Sequence, residues 1–164
     1  MDTQRESRPQ NSSQRHRQRP DTDRRPMAAA ISYPSLDDRE LLGKPAGVLT
    51  EEIIYACRND RGKLTKTQVR RFYSEVKSIR RSIENEGTIT DGLYARIKLI
   101  KAKASYATAR KGNAALPEHF EKFLSYYLDQ INFSEGPEKV KDRFERFCWL
   151  FEAFVGYSSA SLAE

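Results

Sequence analysis

Apolar residues recur at every third or fourth position along most of this chain, from Thr50 to Gly156. This spacing places apolar side chains on one face of a helix, and no stretch shows the strict alternation of a half-buried strand. Connections of about 3–7 residues make consecutive helices antiparallel neighbours. The sequence therefore predicts an all-α fold, a compact bundle of about five helices.

Local signals place the ends of the predicted helices. Thr65 with Gln68 three residues later forms a capping box, which predicts a helix start. Gly87 is suited to the left-handed position that follows many helix C-termini. The five helices are predicted over about 50–57, 65–86, 91–111, 117–132 and 137–156.

The N-terminal segment differs in composition from the rest of the chain. Its first 27 residues include seven Arg, four Gln and three Pro, with no apolar side chain other than two Met. Such a segment buries too little surface to offset the entropy of ordering. We predict a disordered tail over 1–35 and a helical domain over 36–164. Because Pro45 and Gly47 favour turns, 28–49 is predicted to be an irregular lead-in. Two roles of the tail remain open, a basic arm on nucleic acid or no function at all.

Several classes of protein are excluded. The longest apolar run, Phe147–Phe151, is far shorter than the ~18–20 residues of a membrane span. The N-terminus has no apolar segment of the kind found in secretory signals. Cys57 and Cys148 form neither a disulfide framework nor a zinc motif, which suits a reducing cytoplasm. We therefore expect a cytoplasmic protein.

No group of residues has the arrangement of an active site. Catalysis by a nucleophile needs an adjacent base and a third group that orients it. Cys57 and Cys148 are expected to be buried thiols, and His119 is expected to be exposed in the first turn of the fourth helix. We predict that the chain is not an enzyme and needs no metal or cofactor.

Positive charge is concentrated in the second and third helices and the loop before them. Residues 58–111 hold 15 Lys and Arg against 5 Asp and Glu, a net +10, whereas 112–164 are net −4. On the second helix, a stripe of four basic residues falls within about 60° on a helical wheel. Its members are Lys66, Arg70, Lys77 and Arg81.

Basic residues interleaved with an aromatic ring are typical of nucleic-acid contact, because cations neutralise phosphates and a ring stacks on a base. On the third helix, Lys103, Tyr106 and Arg110 share a face outside the core. Solvated helix faces are the alternative interpretation. The candidate nucleic-acid-binding residues are Lys63, Lys66, Arg70, Arg71, Lys77, Arg81, Lys103, Tyr106 and Arg110.

Trp149 is placed almost opposite the apolar face of the fifth helix, whose centre lies near Phe147 and Phe151. Two interpretations remain open. The ring either packs beneath the N-terminal lead-in or belongs to a surface that binds a protein partner.

Three segments, in order, resemble one known family. Leu64–Tyr73 reads LTKTQVRRFY, Leu99–Arg110 reads LIKAKASYATAR, and Phe151–Tyr157 reads FEAFVGY. These segments are similar to motifs of the small subunit of type III-A CRISPR (Csm) effector complexes. The resemblance extends from about residue 50 to 158.

The resemblance implies a helical subunit without catalytic residues that acts in antiviral defence. Its partners would be CRISPR RNA and target RNA, stacked copies of itself, and the backbone and large catalytic subunits of the Csm complex. The basic residues would hold the RNA backbone without reading its sequence. Copies would contact one another through Trp149 and through acidic residues such as Glu138 and Asp142.

Two rival functions are kept. The first is a helix-turn-helix DNA-binding protein, with 50–57 as the support helix and 65–86 as the recognition helix. Its connecting loop is long for a turn that usually has 3–4 residues. The second is a purely structural helical adaptor, whose basic helices meet an acidic protein.

Overall fold

A computed structural model describes residues 30–163. The described part contains five α-helices and no strand, so the predicted all-α bundle is confirmed. Single 3₁₀ turns precede α4 and α5. Of the predicted tail, 1–35, residues 1–29 lie outside the described residues. The helices are α1 (Lys44–Cys57), α2 (Lys66–Glu86), α3 (Asp91–Ala109), α4 (Glu118–Asp129) and α5 (Pro137–Ser158).

The first helix begins earlier than the sequence predicted. Pro45 lies in the first turn of α1, where its missing N–H costs nothing because the first amides have no helical partner. Thr50, predicted as the start, is buried inside α1, and its hydroxyl donates to the Ala46 carbonyl at 2.8 Å. The prediction of an irregular lead-in up to residue 49 is therefore wrong for 44–49.

The other helix ends agree with the local signals to within three residues. Thr65 accepts from the Gln68 amide at 3.2 Å while the Gln68 side chain accepts from the Thr65 amide at 3.0 Å. Gly87 has φ +75° at the end of α2. The capping box and the glycine stop are both confirmed.

The helices form a ring of neighbours around an aromatic core. In space the order is α1, α5, α2, α3 and α4, and α4 closes the ring on α1. Phe120, Phe123, Phe151 and Phe154 are fully buried between α4 and α5, and the rings of Phe123 and Phe154 stack with their centroids 5.0 Å apart. This core leaves the outer faces of α2 and α3 to solvent.

The segment before α1 lies against the bundle. The Tyr33 ring stacks on Tyr126 with centroids 4.7 Å apart, and the Tyr127 hydroxyl donates to the Pro34 carbonyl at 3.0 Å. Leu36 is fully buried. The predicted boundary at residue 35 thus places Tyr33 in the tail, whereas the structure packs its ring on α4.

Candidate nucleic-acid interface

The basic stripe of α2, formed by Lys66, Arg70, Lys77 and Arg81, borders the flank of the helix that packs on α5 through Tyr73 and Arg80. Arg70, Lys77 and Arg81 are exposed, and Lys66 is half-buried in the first turn. The Lys66 main-chain amide donates to the Ala163 carbonyl at 2.9 Å. Three of the four side chains of the stripe are thus exposed along one edge of α2.

Tyr73 borders the stripe on the side that packs against α5. Its ring packs edge-on against Phe151 with centroids 5.7 Å apart, and the Lys77 ammonium lies 5.5 Å from the ring centroid. Burial raises the pKa of the Tyr73 hydroxyl, and the neighbouring Glu152 carboxylate raises it further. Tyr73 thus anchors the stripe to α5 and orients Lys77 by a cation–π contact.

A cleft of about 360 Å³ lies between α2 and α3, on the opposite flank of α2. Arg71 reaches it because consecutive helical residues are about 100° apart, so Arg71 points to α3 while Arg70 belongs to the stripe. The cleft is lined by Gln68, Arg71, Phe72, Glu75, Ala102, Lys103, Tyr106, Ala107, Arg110, Ala114 and Leu116.

The cleft brings together four candidate residues that are up to 39 positions apart in sequence: Arg71, Lys103, Tyr106 and Arg110. Tyr106 is 74% exposed. The Lys103 ammonium forms an ion pair with the Glu75 carboxylate, which bridges α2 and α3. The structure therefore divides the candidates into the stripe, the cleft and Lys63.

Lys63 is exposed on the loop between α1 and α2. The Asp60 carboxylate accepts from the His119 main-chain amide at 2.8 Å and lies 2.8 Å from His119 Nδ1. His119 is half-buried, so the expectation of an exposed histidine is wrong. Asp60 caps the start of α4 from a distant loop, and this contact holds the loop that carries Lys63.

The cleft also contains residues that the sequence did not place among the candidates. Glu75 binds Lys103, and Phe72 and Leu116 form the apolar floor of the cleft. Of these residues, only Phe72 was indicated by the sequence, because the apolar repeat along α2 places it in the core. The contacts of Glu75 and Leu116 depend on how α2, α3 and the following turn are packed.

A family model described as Csm2 Type III-A matches residues 50–162. The chain belongs to this family. Family membership makes it a small subunit of a type III-A CRISPR (Csm) complex, which assembles with the other Csm subunits. No curated protein and no solved structure matches the chain significantly.

The match to the Csm2 family includes all three segments that carried the resemblance, and both basic surfaces lie within it. No described helix is long and apolar enough to cross a membrane. Among residues 30–163, His, Cys, Asp and Glu side chains form no group of three or more that could hold a metal ion.

Both cysteines of this Csm2 family member are buried. Burial raises the pKa of Cys57 to about 12, and the nearby Asp60 carboxylate adds to the effect. Burial also raises the pKa of Cys148. A nucleophile needs the thiolate form, so neither thiol is prepared for catalysis.

The predicted interface residues lie on α5. Trp149 is 41% exposed and lines a shallow groove of about 490 Å³ with Leu42, Glu152 and Ala153. Leu42 belongs to the segment before α1, so the groove lies between that segment and α5. Glu138 and Asp142 line a second groove, and the Asp142 carboxylate lies 3.1 Å from the Arg146 guanidinium.

Proposed function

We propose that the chain is a non-catalytic small subunit whose basic helices bind the sugar–phosphate backbone of RNA, either the guide–target duplex or the target RNA strand. The observation that carries the proposal is the presence of cations on both flanks of α2. The stripe lies toward α5, and Arg71 lies toward α3 beside Arg110. An RNA strand that crosses α2 would meet positive charge on either side of the helix.

Binding of this kind would not depend on the RNA sequence. Half or more of the protein contacts to a nucleic acid go to phosphates and sugars, and they position the strand without reading bases. Exposed Lys and Arg on a convex helix supply such contacts, whereas sequence would be read by base pairing between guide and target.

Self-association is the second part of the proposal. Glu138 and Asp142 lie in the first two turns of α5 and line a groove with Arg80 of α2. We propose that acidic residues of one copy meet the basic surface of the next, as the net −4 and +10 of the two regions favour. Sedimentation of a Glu138→Lys, Asp142→Lys variant tests this step, and unchanged self-association would contradict it.

The helix-turn-helix alternative is disfavoured by packing. A helix-turn-helix needs its support helix against the recognition helix, but α1 packs on α5 and α4, while α2 packs on α5 and α3. The structural adaptor differs in a measurable way, because it predicts no salt-dependent binding to RNA.

The experiment compares two triple variants of equal charge in RNA titrations over a range of salt. The test variant changes Arg70, Lys77 and Arg81 to Ala, and Lys66 is left intact because it is half-buried. The control changes the exposed Arg39, Lys44 and Lys122 to Ala.

The test variant is expected to bind all RNA sequences more weakly and to reduce the salt slope by about 2, since each single-strand phosphate contact contributes about 0.7. The control is expected to retain the slope of the wild type. Equal losses in both variants, or losses confined to particular RNA sequences, would contradict the proposal.

A further inference from the structure

The cleft between α2 and α3 has features that a row of phosphate contacts does not require. Its volume of about 360 Å³ lies in the range of ~300–1,000 Å³ that is typical of small-molecule sites. Its floor is apolar, because Phe72 and Leu116 are buried there and Ala107 lies beside them. Such a floor suits a planar, weakly polar group and not a phosphate.

The mouth of the cleft carries an exposed aromatic ring. Tyr106 is 74% exposed, more than any other large apolar or aromatic side chain of the described residues. Within residues 30–163 its ring makes no contact with another ring. A tyrosine face held at the edge of an apolar cleft is a stacking platform for a nucleobase.

Two guanidinium groups accompany the ring. Within the described residues, Arg71 and Arg110 form no ion pair, whereas the third cation, Lys103, is bound by Glu75. Guanidinium groups bind phosphate oxygens with two parallel hydrogen bonds. Arg71 and Arg110 are therefore the cations of the cleft that remain for a phosphate.

The amide side chain that lines the cleft is already occupied. Gln68 accepts from the Thr65 amide at 3.0 Å through Oε1, and its Nε2 donates to the Ala115 carbonyl at 3.5 Å. Reading the edge of a base requires donors and acceptors that are available to it. The cleft therefore has the means to stack a base but not to select one through Gln68.

We infer that this cleft holds a single nucleotide of the bound RNA, with its unstacked base against the Tyr106 ring and its phosphate between Arg71 and Arg110. This inference rests on the proposed function and adds a base-stacking site to the backbone contacts of α2. The site accepts any of the four bases, because stacking uses the face that all of them share.

The test is a titration of the full-length chain with single-stranded oligoribonucleotides that contain one 2-aminopurine, whose fluorescence reports stacking. Tyr106→Ala is expected to lose about tenfold in affinity, a loss of about 1.4 kcal/mol, together with the fluorescence change. Tyr106→Phe is expected to retain both because the ring remains. Tyr55→Ala, which removes another exposed tyrosine, is expected to behave as the wild type.

The cations are tested separately. Arg71→Ala and Arg110→Ala are each expected to reduce the salt slope by about 0.7, the contribution of one single-strand phosphate contact. Replacement of the bases flanking the probe is expected to leave the affinity nearly unchanged.

Three results would overturn the inference. If Tyr106→Ala binds RNA as tightly as the wild type while the triple variant of Arg70, Lys77 and Arg81 binds more weakly, the cleft is not a base site and the proposed function stands. If the wild-type chain shows no salt-dependent RNA binding, both are overturned. If Tyr106→Ala keeps RNA binding but no longer co-purifies with other Csm subunits, the cleft is a protein contact.

Discussion

The Glu75 carboxylate on α2 is paired with the Lys103 ammonium on α3 at the wall of the cleft. One anion thus lies in the cleft whose cations Arg71 and Arg110 we assign to a phosphate, and it neutralises the third cation, Lys103. Glu75 is the more buried partner, with 26% of its side chain exposed against 55% for Lys103. The pair links the two helices and lowers the positive charge of the cleft.

Glu75→Gln is expected to increase RNA affinity. The substitution removes the carboxylate, releases Lys103 and makes the cleft more positive by one charge. We expect an increase of about two- to fivefold at low salt that disappears at high salt, because screened charges interact weakly. Fluorescence anisotropy with labelled RNA measures this change. Glu84→Gln, whose carboxylate lies 3.3 Å from Arg80 outside the cleft, is the control. An unchanged or lower affinity of Glu75→Gln would contradict the assigned role.

Asp60→Ala is expected to destabilise the fold by about 1–3 kcal/mol, because it leaves the His119 amide at the start of α4 without its acceptor. His119→Ala is expected to cost less, since the main-chain bond to Asp60 remains. Urea unfolding measures both variants. Asp129→Asn removes an exposed ion pair with Lys101 and should change the stability by less than about 1 kcal/mol. Equal effects of Asp60→Ala and Asp129→Asn would show that the loop contact is not structural.

Gly62→Ala is expected to be more destabilising than Gly87→Ala. Both glycines have positive φ, +83° and +75°, so either alanine costs about 1–2 kcal/mol in backbone strain. A Cβ at Gly62 would also lie 2.3 Å from the Ala115 carbonyl oxygen, whereas a Cβ at Gly87 meets nothing within 4 Å. Melting temperatures of the two variants give the comparison. Similar values would mean that the loop moves away from Ala115 without cost.

The stability is expected to decrease at alkaline pH. Burial raises the pKa of Cys57 from 9.0 to about 12 and that of Tyr33 from 10.0 to about 12. Each group therefore binds its proton more tightly when folded, so its contribution is complete below the unfolded pKa and is lost as the pH rises toward 12. We expect a flat free energy of unfolding from pH 7 to 8 and a decline above about pH 9.

Denaturant titrations at several pH values measure this dependence, and Cys57→Ala should weaken the decline that begins near pH 9. Reaction with dithionitrobenzoate at pH 8 provides a second readout, because only a thiolate attacks the reagent. Rapid reaction of the folded wild type would contradict the burial of both thiols.

The local elements of the fold follow from neighbouring residues in the amino-acid sequence. Thr65, Gln68 and Gly87 act through hydrogen bonds and backbone preferences within one helix, so their roles follow from neighbouring residues alone. The repeat of apolar positions likewise determined the five-helix bundle. The three motifs predicted the family, and the match over residues 50–162 confirms it.

Tertiary structure decided what depends on distant partners. Pro45 permits either a turn or a first helical turn, and α1 extends over it because its apolar face packs on α4 and α5. His119 is half-buried because Asp60, 59 positions away, binds it. Lys103 is likewise neutralised by a residue that is distant in sequence, Glu75 on α2. Spacing along a helix predicts which face a side chain occupies, but the packing of other helices determines whether that face meets solvent, a carboxylate or a cleft.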